Sequence, residues 1–280
     1  MDPDFTRPGT VEEAVADLGS EGAVAVGGGT QVALLTKHGL LEPSRLVWLG
    51  RVGGLAGISS PNGAVVIGAG TTLAEIAGSS IVRASFPALA EAAAHVGNAR
   101  VRAVATLAGH LVHADPRQDL PPVLLVLDAT VRVVGPSGER ELPLSEFFVG
   151  LFETALRDGE LVTSVRVPAI SDGARVSYLR FTPGTDNDYP TVGVAARVAV
   201  AEGIVRQAVV GLSGVDMRPL RVELPSLAGQ AASPAAWREA GDVAAAACDP
   251  SSDQRGSASY KREMARLWTA RALEAAAGGS

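Results

Sequence analysis

Apolar runs that end on glycine and pass into helical spacing recur in the first part of the chain. Val11, Ala14, Val15 and Leu18 fall on one face of a helix predicted over 10–19, with Thr10 placed to cap it. Ala23 to Val26 reads as a buried strand, which meets Gly27, Gly28 and Gly29 before a helix begins after Thr30 and Gln31. Leu46 to Leu49 is a further strand. Val65 to Ile67 repeats the plan, with a bend at Gly68 and Gly70 and capping-box spacing from Thr72 to Glu75. A helix with Leu89, Ala93 and Val96 on one side follows, and then residues 98–114 show no clean period. Asp119 is placed to start and cap a helix whose prolines, Pro121 and Pro122, suit a first turn. "TVRVV" and "ELPLSEFF" read as a strand and its return, 160–168 alternates as a strand, and Pro168 to Ala174 has the composition of a linker.

Beyond the linker the period changes to two. Val192, Val194, Ala196, Val198 and Val200 share one face, and Ala201-Glu202-Gly203 turns the chain into a second strand, Ile204 to Val210. Helices are predicted near 234–247 and from Ser259, the last with Tyr260, Met264, Leu267, Trp268 and Ala272 on one side. The pattern predicts an α+β chain: mixed α/β layers first, then an antiparallel sheet covered by helices on one side.

Composition narrows what such a chain does. With 280 residues, 47% of them hydrophobic and 19% charged, it can build a large core in two or three packed units. A net charge of −6 with scattered basic residues excludes a nucleic-acid groove. One cysteine, Cys248, holds neither an iron–sulfur cluster nor a structural zinc. The N-terminus has no apolar signal core, and no run is long and clean enough to cross a bilayer; Val123 to Leu127 fits a buried helix. A cytoplasmic setting is expected.

The triple glycine is the first candidate for chemistry. It is not a dinucleotide-binding fingerprint, because Val32 stands where a third spaced glycine belongs, and no Gly-Lys-Ser/Thr makes it a P-loop. Two readings remain: a tight turn packed under another element, or backbone N–H groups at a helix start that receive an anion. Thr106, Ala108 and Gly109 are placed for a second close-approach turn. Asp115 and Asp119 would share a face if their segment were helical, and His110 and His113 lie three apart without the further ligands of a metal motif. Arg180 ends an apolar strand and reads, on its own, as a solvated strand end.

Taken together, "AVGGGTQVALL", "VVIGAGTTLAEI", the stretch from "ATLAGHLVHADPRQDL" to "LSEFFVG", "ELVTSVRVP" and "DPSSDQRGSASYKREMARLWTARAL" resemble the FAD-binding medium subunit of molybdenum hydroxylases, the carbon monoxide dehydrogenase and xanthine dehydrogenase family. The resemblance runs nearly the full length. It implies a PCMH-type FAD-binding domain over 1–169, with subdomains of about 1–54 and 55–169, and a C-terminal flavoprotein domain over 174–280. It implies an oxidoreductase subunit that relays electrons from the [2Fe–2S] clusters of a small partner chain, fed by a large molybdopterin chain, to an external acceptor. The three-chain unit could itself form a larger oligomer. Alternatives are a stand-alone flavin oxidoreductase and a scaffold that kept the fold without the cofactor.

By position, the resemblance gives the FAD diphosphate to Ala25, Val26, Gly27, Gly28, Gly29, Thr30 and Gln31. Thr106, Ala108, Gly109 and His110 would approach the flavin and phosphates, Asp119 the adenosine side, Leu161 the flavin, and Arg180 the isoalloxazine. It implies no catalytic side chain and no metal ligand in this chain. Two departures stand out. Ala108-Gly109-His110 replaces the usual Gly-Gly-Asn, and Arg102 to Thr106 reads Arg-Ala-Val-Ala-Thr instead of Arg-Asn-x-Gly-Thr. An alanine Cβ is expected to intrude where glycine allowed close approach or a positive φ.

Overall fold

The computed structural model describes residues 3–170, 172–185 and 187–278. The chain opens with β1 (Asp4–Thr6), α1 (Val11–Leu18), β2 (Ala23–Val26), α2 (Thr30–Lys37) and β3 (Arg45–Trp48). These strands form a parallel sheet in the order β1-β3-β2, and α2 is the crossover from β2 to β3. Thr10 caps α1, its hydroxyl accepting the Glu13 N–H at 3.2 Å. The strand expected at Leu46 to Leu49 starts and stops one residue earlier, because Leu49 opens a 3₁₀ turn. α2 buries none of its residues, and Leu34 is 50% exposed.

The second layer runs through β4 (Ile58–Ser59), β5 (Val65–Gly68), α3 (Leu73–Gly78), α4 (Ser80–Ser85), α5 (Pro87–His95), α6 (Ala99–Arg102), α7 (Leu107–His113) and α8 (Leu120–Val126). It continues with β6 (Thr130–Gly135), β7 (Gly138–Pro143), β8 (Phe148–Gly150), β9 (Glu153–Thr154) and β10 (Leu161–Val167). Five strands pair antiparallel in the order β4-β5-β10-β6-β7. Alternate residues Val65, Ile67, Val131, Val133, Val165 and Val167 are buried. The capping box of α3 is complete: Thr72 Oγ1 accepts from Glu75 N–H, and the Glu75 carboxylate accepts from Thr72 N–H at 2.7 Å. The region without a period, 98–114, breaks into helices of four and seven residues, too short to show one.

The last part holds β11 (Arg175–Phe181), β12 (Val192–Ala201), β13 (Ile204–Ser213), β14 (Leu220–Glu223), α9 (Pro234–Ala246) and α10 (Ala258–Ala277). Its antiparallel sheet has the order β11-β12-β13-β14. Val192, Val194, Ala196, Val198, Val210 and Leu212 share a core with α9 and α10. The sheet is not covered on one side only. Tyr178, Ala195 and Val209 face the other way and join the core of the first part. Their cover is α8 over β12 and β13, all seven of its residues buried, and α5 over β11. A Cβ on Gly211 would come within 2.3 Å of the Pro122 carbonyl oxygen, so the first turn of α8 lies flat on β13. The expected stripe of α10 holds in part: Ala272 is buried and Met264 and Trp268 pack against the core, but the most buried line runs beside it. Lys261, Ala265, Thr269, Ala272 and Ala276 face inward, whereas Tyr260 is 40% exposed.

Candidate functional site

β2 delivers the chain to the triple glycine, where Gly29 takes a left-handed φ of +72°. A Cβ on Gly28 would sit 1.8 Å from the Val104 carbonyl oxygen, and one on Gly27 would sit 2.6 Å from Thr106 Oγ1. The close neighbour of Gly27 and Gly28 is thus the chain itself. The second glycine bend is built the same way. Gly70 N–H donates to the Leu55 carbonyl at 2.6 Å, and a Cβ on Gly68 would meet that oxygen at 2.4 Å. Leu73 N–H donates to Ala105 O, Leu107 N–H to Thr71 O and Ala108 N–H to Ala69 O, all within 3.0 Å. The loops at 27–29, 68–72 and 104–109 therefore form one packed unit.

One side of this unit is uncommitted. Gly29 caps α2 without a side chain, and among the described residues the N–H groups of Gly28, Gly29, Thr30 and Gln31 donate to no other part of the chain. Unpaired donors at a helix start are where the helix dipole favours negative charge.

α7 is capped by Thr106, whose Oγ1 accepts from Gly109 N–H at 3.2 Å. Neither Ala105 nor Ala108 has a positive φ, so the expected strain of alanine at those positions is absent. His110 Nε2 is buried without a hydrogen-bond partner. Burial above all, and then His113, press the His110 pKa down to about 3 against an opposing pull from Asp115, so the ring is neutral. Gln118 is 2% exposed; its Nε2 donates to the His110 carbonyl at 2.5 Å, and its Oε1 is buried without a partner. His113 points elsewhere, its ring 5.3 Å from that of Phe152. Among the described residues no three His, Cys, Asp or Glu side chains gather as a metal site. Asp115 and Asp119 do not share a helical face, because Asp115 lies in the loop before α8 and is bound by Arg117.

Asp119 stands at the start of α8 but does not cap it. Its Oδ1 instead accepts the Tyr178 hydroxyl at 2.7 Å and lies 3.4 Å from Arg180 Nε. Burial raises the Asp119 pKa, opposed by Arg180 and Tyr178. The Arg180 side chain is only 8% exposed, so it is no solvated strand end. It donates to the carbonyls of His95 and Asp188. The next residue, Tyr189, accepts from Gln31 Nε2 at 3.2 Å, which ties the β11–β12 loop to the start of α2. Gln31, Asp119 and Arg180 thus meet along one seam between the two parts of the chain. Leu161 lies apart from these polar contacts, buried at the start of β10 opposite Val134.

Sequence reasoning passed over Tyr178, Tyr189, Arg117 and Gln118. One signal was available: the chain has three tyrosines, and two of them are here.

Comparisons with known proteins bear on the family and the fold. A family model described as the FAD binding domain in molybdopterin dehydrogenase matches residues 2–170. One described as the CO dehydrogenase flavoprotein C-terminal domain matches residues 177–276. The carbon monoxide dehydrogenase medium chain of Hydrogenophaga pseudoflava is 34% identical over 98% of this chain and 96% of its own length. The 6-hydroxypseudooxynicotine dehydrogenase complex subunit alpha of Paenarthrobacter nicotinovorans is 32% identical over 96% of this chain and 93% of its own. A solved carbon monoxide dehydrogenase from H. pseudoflava superposes with a TM-score of 0.95 at 34% identity, covering 100% of this chain and 99% of that one. The two family models and the fold together define an α+β flavoprotein of the molybdenum hydroxylases. The chain belongs to their family of FAD-binding medium subunits, components of multi-subunit oxidoreductases.

Proposed function

We propose that this chain is the FAD-carrying relay of a three-chain enzyme. A small partner bearing [2Fe–2S] clusters would supply electrons drawn from a large molybdopterin partner, and an external acceptor would take them from this chain, in the cytoplasm. Among the described residues no helix is long and apolar enough to cross a membrane. The observation that carries the reading is the start of α2, where four N–H groups without partners open beside a turn that only glycine fits. Such a start suits a diphosphate. The buried, unpartnered His110 Nε2 and Gln118 Oε1 fit a polar ligand as well.

Bound FAD supplies the reversible redox chemistry, and the protein supplies position and electrostatics. Ala25 to Gln31 would hold the diphosphate, with Thr106, Ala108, Gly109 and His110 against it. His110, being neutral, would offer a hydrogen bond without adding charge. Arg180 would place a cation by the isoalloxazine, moderated by Asp119. Because Asp119 and Arg180 lie 3.4 Å apart, we assign both to the same end of the cofactor, in place of the adenosine side for Asp119. Leu161 would contribute an apolar wall. The division into 1–169, with its two subdomains, and 174–280 is supported by the separation of the three-, five- and four-stranded sheets, although α8 packs across it.

The test is the visible spectrum of the purified chain, with FAD added if it is colourless. A flavin spectrum, and capture of iron–sulfur and molybdopterin chains on co-expression, support the reading. A chain that takes up no FAD, alone or with partners, overturns it and returns the scaffold.

A further inference from the structure

The loop between α7 and α8 contains a pair that the flavin reading does not use. Asp115 is buried, and both its oxygens are taken by one residue. Oδ1 accepts from the backbone N–H of Arg117 at 3.0 Å and from Nε at 2.8 Å, and Oδ2 accepts from Nη2 at 2.6 Å. This fork fixes the guanidinium plane as a single charge on a flexible stem could not. The side chain of Arg117 remains 29% exposed, so the pair is not sealed in the core. The guanidinium carbon lies 5.0 Å from the centre of the Tyr189 ring, within cation–π range. Tyr189 in turn accepts from Gln31 Nε2, two residues past Gly29. Arg255 Nε donates to the Tyr189 carbonyl at 3.4 Å.

We infer that Arg117 is a positioning residue of the glycine-turn site: Asp115 holds its guanidinium flat, the guanidinium holds the Tyr189 ring, and Tyr189 is thereby kept on Gln31 at the start of α2. The inference rests on the start of α2 being the ligand site, but the contact it describes exists without ligand. Three separate stretches of chain meet in it, and two of them come from opposite sides of the seam. A residue serving only to neutralise Asp115 needs a positive charge and no fork. One held in a fixed place beside the ring needs the two-point contact with Asp115.

The test uses the full chain without FAD. Hydrogen exchange is followed at Asp188 and Thr191, whose N–H groups are bonded to Thr185 O and Phe181 O. Arg117→Lys keeps a cation beside Asp115 and loses the plane. Faster exchange by about tenfold in this variant, the size a partly desolvated cation–π contact supports, is the expected result. Arg117→Lys combined with Tyr189→Leu should be no faster than Tyr189→Leu alone, because both changes break one chain of contacts. Wild-type exchange in Arg117→Lys, or full additivity in the pair, overturns the inference. A parallel FAD titration, read by quenching of flavin fluorescence, separates the two claims. No uptake by the wild type refutes the flavin reading and leaves the exchange result standing.

Discussion

At Gly28 one methyl group decides whether two loops can meet. Gly28→Ala would press a Cβ into the Val104 carbonyl, and the 104–106 backbone has little room to retreat while Leu73 and Leu107 bond across it. A loss of about 1–3 kcal/mol or more is expected in urea unfolding, with weakened FAD binding in titration. Tyr178→Phe removes the hydroxyl that Asp119 accepts at 2.7 Å and should cost about 1–3 kcal/mol by the same unfolding assay. His110 sets a pH dependence. Its pKa in the folded chain, about 3, lies below the ordinary 6.5, so the unfolded chain binds the extra proton between them. The ring's contribution is therefore fully present above about pH 6.5 and is lost as the pH falls toward 3. His110→Asn, which has no such proton, should show a shallower fall in melting temperature across that window. The glycines were visible as a signal in the sequence. What they admit was not, because Val104 is some seventy-five residues away from them along the chain.

Strands and helices with a sustained period could be read directly. The β12–β13 hairpin, α1 with its Thr10 cap and α3 with its capping box all follow from spacing and side-chain chemistry that act within a few residues. The misreadings share one cause: neighbours from distant sequence. Asp119 occupies a cap position, yet its carboxylate turns to Tyr178 and Arg180, because β11 lies against it. α10 rotates its small residues inward, since α9 and β12 pack close; a Cβ on Gly241 of α9 would meet the Arg266 carbonyl of α10 at 2.4 Å. The same logic applies to α8, where backbone meets backbone at Gly211. Gly211→Ala should lift α8 from β13 and destabilise the chain by about 1–3 kcal/mol, measured by denaturant unfolding.

Over the whole molecule, α8 lies in one core that draws residues from both parts of the chain. Its apolar side chains join the first part, and its first turn lies on the sheet of the last. The full chain should then unfold in a single calorimetric transition; two resolved transitions would show that the seam contributes little. FAD at a hundredfold excess over its Kd should add about 2.7 kcal/mol to that stability, seen as a higher melting temperature. The seam explains why the candidate site could only be read in part. Composition and period alone settled an α+β chain with an antiparallel last sheet and a single cysteine. The ordered motifs pointed to a flavin subunit. Those features act over short range or over the average of the chain, so they survive in one dimension. Only the tertiary structure decided that the last sheet is covered on both sides, that Gly28 receives the Val104 backbone and Gly27 the Thr106 side chain, and that Arg117, Tyr189 and Gln31 meet. Each of these depends on a contact between surfaces whose shapes no local spacing encodes.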